Sequence, residues 1–189
     1  TPPRAPEDPI AALPRRPGRL LLRGDTSATR EGRKLGRGFD TGVEAGAALA
    51  DGVRLVGRVS RAGIGWSDLA LLGDAGLTLP GLAALGSEDD PTPFAMGDLV
   101  SLGRESDGTL RLRWDAVQPV LDPATGEPAT TAVRASVWSG SGSTGLPRGL
   151  LLGTSTLPPG VGPHELILVP PPGVHELRDL TVVSGGAAE

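Results

Sequence analysis

Three serines in a glycine run, two histidines and scattered carboxylates are the side chains of this 189-residue chain best suited to chemistry. Ser139, Ser141 and Ser143 alternate with Gly140 and Gly142. A nucleophilic serine needs a base within hydrogen-bond reach and a third group to orient that base. His164 and His175 are the only candidate bases, and Asp68, Asp74 or Asp98 could orient one of them. Hydrolases built from two β-barrels bring such groups together across the barrels, so the reading is open. No Gly-x-Ser-x-Gly pattern results, however, and both histidines sit beside Pro or Val in turn-like segments. Surface histidines and a flexible turn explain the same residues.

Other motifs carry less. Gly140 to Gly145 spells Gly-x-Gly-x-x-Gly, but a dinucleotide needs a helix N-terminus after such a loop. Here Leu146-Pro147-Arg148-Gly149 and a strand follow. Glu88-Asp89-Asp90 is a charge run in a proline loop, with no apolar pocket in its neighbourhood to raise one carboxyl for glycoside chemistry. Oxygen ligands at EF-hand spacing are absent. Arg23-Gly24-Asp25 is an adhesion tripeptide of a length that chance supplies.

Composition narrows the classes further. There is no Cys, which removes disulfides, thiolate metal sites and a Cys nucleophile. Two His make a multi-His metal centre untenable. A sequence pI near 5.2 and a net charge of −4 do not build a nucleic-acid surface. Three Trp, two Phe and no Tyr leave little for stacking platforms, and Trp66, Trp114 and Trp138 read as core anchors. No cofactor is expected. Gly (29) and Pro (19) are abundant, but 28 Leu, 14 Val, 3 Ile and 2 Phe let burial offset the ordering entropy. Nothing approaches 18 consecutive apolar residues, so no transmembrane span is expected in the chain as given. It begins without Met, which suggests an excised piece of a longer protein.

The elements that must position these groups are short. Residues 1–18 hold six prolines and read as an extended linker. Arg19–Arg23 is the first strand candidate, and Gly24–Gly38 a flexible loop or hairpin turn. Asp51-Gly52 predicts a type I′ hairpin with positive φ at both residues, feeding the strand Val53–Val59. Gly57 inside that strand marks a bulge or a close backbone approach. Trp66–Leu72 is a strand. Pro80-Gly81 reads as a turn and 87–93 as an acidic loop. In Thr109–Trp114, Leu110, Leu112 and Trp114 alternate with Arg111 and Arg113, the pattern of a half-buried strand. Further strands are read at 99–102, 133–138, 149–154, 165–169 and 180–183, with 121–130 a polar loop and 174–180 a short helical turn. Short strands with turn signals every 8–12 residues indicate an all-β barrel or sandwich. A Gly-x-x-x-Gly turn and a glycine-containing strand occur twice, from Gly42-x-x-x-Gly46 to Gly57 and from Gly145-x-x-x-Gly149 to Gly153. Duplication and chance both give such an echo.

The order of motifs resembles a known family. Gly38-Phe-Asp-Thr-Gly-Val-Glu-Ala-Gly46, Ala50-Asp-Gly-Val-Arg-Leu-Val-Gly-Arg-Val59 and Ser67-Asp-Leu-Ala-Leu-Leu-Gly-Asp74 resemble the opening of the extracytoplasmic β domain of the rod shape-determining MreC family. Val137-Trp-Ser-Gly140 with Gly145-Leu-Pro-Arg-Gly-Leu-Leu-Leu-Gly153 is similar to its later glycine segment. Val169-Pro-Pro-Pro with Leu177-Arg-Asp-Leu-Thr-Val-Val183 is similar to its close. The resemblance spans about residues 38–184 and is weakest over 77–132.

It implies an all-β fold of two small β-barrels packed side by side, with little or no helix. The first would take 19–80 plus 165–184, the second 81–164, with 185–189 a tail. It also implies a non-catalytic scaffold of the cell-wall elongation machinery, outside the cytoplasm and held at the membrane by an N-terminal anchor not in this chain. The partners implied are another copy, as dimer or filament, a penicillin-binding transpeptidase and other elongation-complex membrane proteins; nucleic acid is not among them. Short strands leave edges that such partners could pair with. The structural-turn residues expected to matter are Gly42, Gly46, Asp51, Gly52, Gly57, Gly149 and Gly153. The alternatives are a two-barrel serine hydrolase using Ser141 or Ser143 with His164 or His175, and a ligand-binding β module of an envelope apparatus.

Overall fold

Leu110, Leu112 and Trp114 are buried and Arg111 and Arg113 exposed, so the alternation read in the sequence is a strand with one face in the core. The same period-2 logic runs through a computed structural model that describes residues 15–21, 33–36, 38–87, 90–122, 124–140, 146–171 and 179–183. Among these residues the strands are β1 (Arg15–Leu21), β2 (Arg33–Leu35), β3 (Ala48–Asp51), β4 (Arg54–Gly63), β5 (Trp66–Leu71) and β6 (Thr78–Ser87). They continue with β7 (Asp90–Arg104), β8 (Leu110–Ala116), β9 (Val133–Ser139), β10 (Leu151–Leu157), β11 (Gly162–Leu168) and β12 (Asp179–Val183). The only helical piece among them is a 3-10 turn at Phe39–Thr41. The all-β class therefore holds.

All the strands share one hydrogen-bonded sheet. In its first part the pairings run β4–β3–β12–β1–β2–β5, and β5 pairs back onto β4, so six strands follow one another in a ring. In the second part they run β11–β8–β7–β6–β9–β10. There the two ends meet at one bridge, where Thr154 and Val169 exchange backbone bonds of 2.9 and 2.8 Å. The two parts join where β10 and β4 run parallel at Leu151 and Arg54.

Each part has its own core. Leu35, Val43, Leu49, Val56, Val59, Leu69, Leu71 and Val182 pack in the first. The larger cluster centres on Trp114 with Leu79, Leu99, Leu110, Leu112, Leu152 and Leu168, and takes in Ala48, Ala50, Leu55 and Val183 from the first part. Shape explains the glycines near Trp114. A Cβ on Gly81 would meet the indole at 2.8 Å, and one on Gly97 at 2.9 Å. The ring fills space that any larger residue would need.

Several expected elements fall elsewhere. Residues 15–18, read as linker, lie in β1, where Arg15–Arg19 pair with Val183–Asp179 of β12. The apolar β12 needs a neighbour, and this non-local need is invisible in a local window of prolines. The polar stretch 24–38 contains β2, whose Leu35 is fully buried. Pro80-Gly81 is no turn: both residues lie inside β6, and Pro80 stands just before the pairing to β9 begins at Gly81. A missing N–H is tolerated at such a position. The loop at 87–93 is instead the close of β6 and the start of β7, with Gly86 opposite Pro91. The boundaries drawn at 80/81 and 164/165 fall inside β6 and β11, and all partners of β11 in the sheet register lie in β8. Residues 1–14, 172–178 and 184–189, and with them most of the expected linker, most of the helical turn and the tail, lie outside the described residues, while Asp179 and Leu180, read into that turn, are strand residues of β12.

Candidate functional site

Among the described residues the catalytic candidates do not assemble. Ser139 is fully buried; its hydroxyl donates to the Pro147 carbonyl at 2.7 Å and accepts from the Leu150 N–H at 2.9 Å. That oxygen ties the turn before β10 to β9 and is sealed from any substrate. His164 stands opposite Trp114, which stands opposite Leu99, all on the inward face. Asp98 is opposite Asp115 in the adjacent row and points outward, so the sheet itself separates it from His164. Asp68 pairs with Lys34 at 3.6 Å, and Asp74 accepts from the Leu71 N–H at 2.7 Å. Ser141, Ser143 and His175 lie outside the described residues, as do Glu88 and Asp89. Among the described residues no three acidic or His side chains gather as metal ligands, and no helix is long and apolar enough to cross a membrane.

The turn residues have defined geometry. Gly42, Gly46 and Gly149 have φ of 74°, 92° and 89°. Asp51 is the last residue of β3 and pairs with Arg54, so the hairpin turns on Gly52-Val53 and not on Asp51-Gly52. Only Gly52 has positive φ, 59°, which is the type II′ pattern instead of type I′. Gly57 sits at a register shift between β3 and β4, and a Cβ there would lie 2.2 Å from the Ala70 carbonyl oxygen.

Surface, then, is what the fold offers. Among the described residues every strand but β11 has a sheet neighbour on both sides; β11 pairs with β8 alone, and only the Thr154–Val169 bridge just past its end reaches β10. On the outer face Leu151, Trp138, Leu82 and Met96 form one row across β10, β9, β6 and β7, and the Val117 N–H bonds to the Met96 carbonyl just beyond it. The row passes from buried Leu151, Trp138 and Leu82 to Met96, 50% exposed, and Val117, 69% exposed. There it borders an open cavity of about 200 Å³, lined by Pro80, Leu82, Met96 and Val117 over Gly81 and Gly97, with Asp98 and Arg148 at its margin. An apolar groove with a flexible methionine and a few charged groups suits a partner's apolar side chain.

Sequence reading missed this groove because Met96 and Val117 look like core residues of a strand. The signal was alternation: Ala95, Gly97 and Leu99 face inward, so Met96 and Asp98 cannot. It also misplaced Trp66. Ser67, Leu69 and Leu71 are buried in β5, which puts Trp66 on the opposite face, 38% exposed, while Trp114 and Trp138 are buried as expected.

No family model and no curated protein matches the chain. Solved structures do. The chain is similar to MreC of Listeria monocytogenes at 18% identity and a TM-score of 0.64, over 93% of this chain and 77% of that one. It is similar to the major periplasmic domain of the cell shape-determining filament MreC at 13% identity and a TM-score of 0.67, over 92% and 96%. A third likeness is to the complex between the penicillin-binding protein PBP2 and MreC from Helicobacter pylori, at 12% identity and a TM-score of 0.53, over 90% and 98%. The fold of this chain is thus the fold of the MreC periplasmic domain, across nearly its whole length.

Proposed function

We propose that the chain is the extracytoplasmic domain of a divergent MreC, a non-catalytic scaffold that holds wall-synthesis enzymes at the membrane during elongation. The observation that carries this reading is the shared fold over 92% of this chain and 96% of the periplasmic domain. One neighbour of the same fold is a complex with a penicillin-binding protein, which makes a transpeptidase the partner to expect here. Surface chemistry supports a docking role: the hydroxyl of Ser139 is sealed, Asp98 and His164 point apart, and the outer face carries an apolar groove. In this reading the groove at Met96 and Val117 receives the partner, copies of the chain associate, and an anchor outside this chain ties it to the cytoplasmic membrane.

The test is binding of the purified chain to the periplasmic part of an elongation transpeptidase from the same genome, by interferometry. Met96→Glu and Val117→Glu should each weaken binding by about tenfold or more, as loss of an interface anchor does. Val161→Glu, on an exposed position away from the groove, should leave it unchanged. Absence of binding by the unmodified chain would overturn the scaffold reading.

A further inference from the structure

The groove at Met96 and Val117 lies between two rows of outer-face side chains. Leu82 and Met96 are register partners in one row, with Val117 just beyond. Pro80 and Asp98 are partners in the next row, two residues along each strand or about 7 Å away. Between the rows the floor is the backbone of Gly81 and Gly97, whose Cβ positions point at Trp114 in the core. The groove therefore runs across the strands. At about 200 Å³ it is smaller than the roughly 300–1,000 Å³ of small-molecule sites, so one bulky side chain fills it.

Its two ends differ in charge. Asp98 is exposed on β7, and its neighbour on β8 is Asp115. At the other end the Gly140 N–H donates to the Pro80 carbonyl at 2.8 Å, which holds the residue after β9 against β6. The Gly149 N–H donates to the Ser139 carbonyl at 3.0 Å, so exposed Arg148 stands on the far side of that segment, just before β10. In the order β7, β6, β9, β10 this puts the Asp98 and Arg148 backbones three strand spacings or about 14 Å apart. Asp115 is neutralised by Arg113 at 3.1 Å. Among the described residues neither Asp98 nor Arg148 has an ion-pair partner. Unpaired charges of opposite sign at the rim of an apolar groove select and orient what docks there.

We infer that the groove takes one bulky apolar side chain from a peptide segment with a basic residue on one side, met by Asp98, and an acidic residue on the other, met by Arg148; the segment belongs to the wall-synthesis partner of the scaffold reading, on which this inference rests. Met96 is the chain's only methionine, so labelling with ¹³C-methyl methionine gives one NMR signal from the groove. The labelled chain is titrated with the acetylated and amidated peptides Lys-Gly-Trp-Gly-Glu, Lys-Gly-Trp-Gly-Lys and Glu-Gly-Trp-Gly-Glu, whose indole is both the anchor and the source of a ring-current shift. The mixed-charge peptide should bind about threefold more tightly than either of the others, and high salt should erase the difference, as it does for exposed charge pairs. Arg148→Glu should turn the preference to the doubly basic peptide, and Asp98→Lys to the doubly acidic one. Both positions are exposed, so the fold is kept. Equal affinity for the peptides, or a methyl signal that none of them moves, overturns the inference. So does a signal that shifts when the chain alone is concentrated, for the occupant would then be a second copy. Absence of transpeptidase binding with the peptide preference intact would overturn the scaffold reading and leave the charge selection standing, so the two fail separately.

Discussion

A Cβ on Gly153 would stand 2.3 Å from the carbonyl oxygen of Val169, beside the bridge that joins Thr154 of β10 to Val169, the residue after β11. Bare backbone is what lets that seam form. Gly57 does the same at the β4–β5 pairing, with the Ala70 carbonyl oxygen 2.2 Å from where its Cβ would be. The two glycines are the ends of the echo visible in the sequence, and their strands lie side by side, β10 parallel to β4. The echo thus marks similar places, the strand at which each run of six strands comes back to its other end, by the β4–β5 pairing in one and by the Thr154–Val169 bridge in the other.

Gly153→Ala should therefore destabilise the chain by about 2–4 kcal/mol, because the clash is with backbone that cannot rotate away. For a chain of this size that is a fall in Tm of about 5–15 °C in calorimetry. Gly126→Ala, where φ is 73° but a Cβ would meet nothing, is the contrast and should cost about 1 kcal/mol. Equal losses in the two variants would refute the seam argument.

Gly52→Val tests conformation without contact. Nothing lies within 4 Å of its Cβ position, yet φ is 59° and the substitute is β-branched. The expected cost is about 1–3 kcal/mol, read as a lower midpoint in urea with the slope unchanged. An unaltered midpoint would remove the type II′ assignment.

Strand positions were legible wherever one face is apolar, as in β8 with Leu110, Leu112 and Trp114. What a local window could not show was pairing between distant segments. Arg33–Leu35 looks like loop until β5 lies beside it, and Pro80 looks like a turn until β6 is seen running through it. The II′ turn was missed by one residue, since Asp-Gly signals a hairpin more surely than it fixes which pair is central. The docking surface was least legible. Exposed Met96 differs from core residues only in the face it occupies, and that depends on register.

Ser139 distinguishes a structural from a catalytic serine. Its hydroxyl serves two backbone partners in the interior, so Ser139→Ala leaves the Leu150 N–H without its side-chain acceptor. Loss of about 1–3 kcal/mol is expected in thermal unfolding. A fluorophosphonate should leave Ser139 unlabelled in the folded chain; labelling at this residue would mean that its hydroxyl is not sealed in solution.

Asp107 gives the chain one defined response to acid. Its carboxylate accepts the Thr109 hydroxyl at 2.7 Å and the Thr109 N–H at 2.9 Å, closing the turn between β7 and β8. The hydroxyl bond, and then the backbone bond, favour the charged form and hold the group below the usual aspartate value of 3.8. Because the folded state binds the proton less readily than the unfolded chain, the turn's contribution is complete above that usual value. It is lost as the pH falls through the lower, folded value. Thr109→Val removes the hydroxyl and keeps the N–H, so the carboxyl carbon of Asp107 should titrate at higher pH in the variant, closer to 3.8. Side-chain carbonyl NMR reads this directly. Coincident titration curves for the two chains would mean that the hydroxyl does not hold the carboxylate in solution.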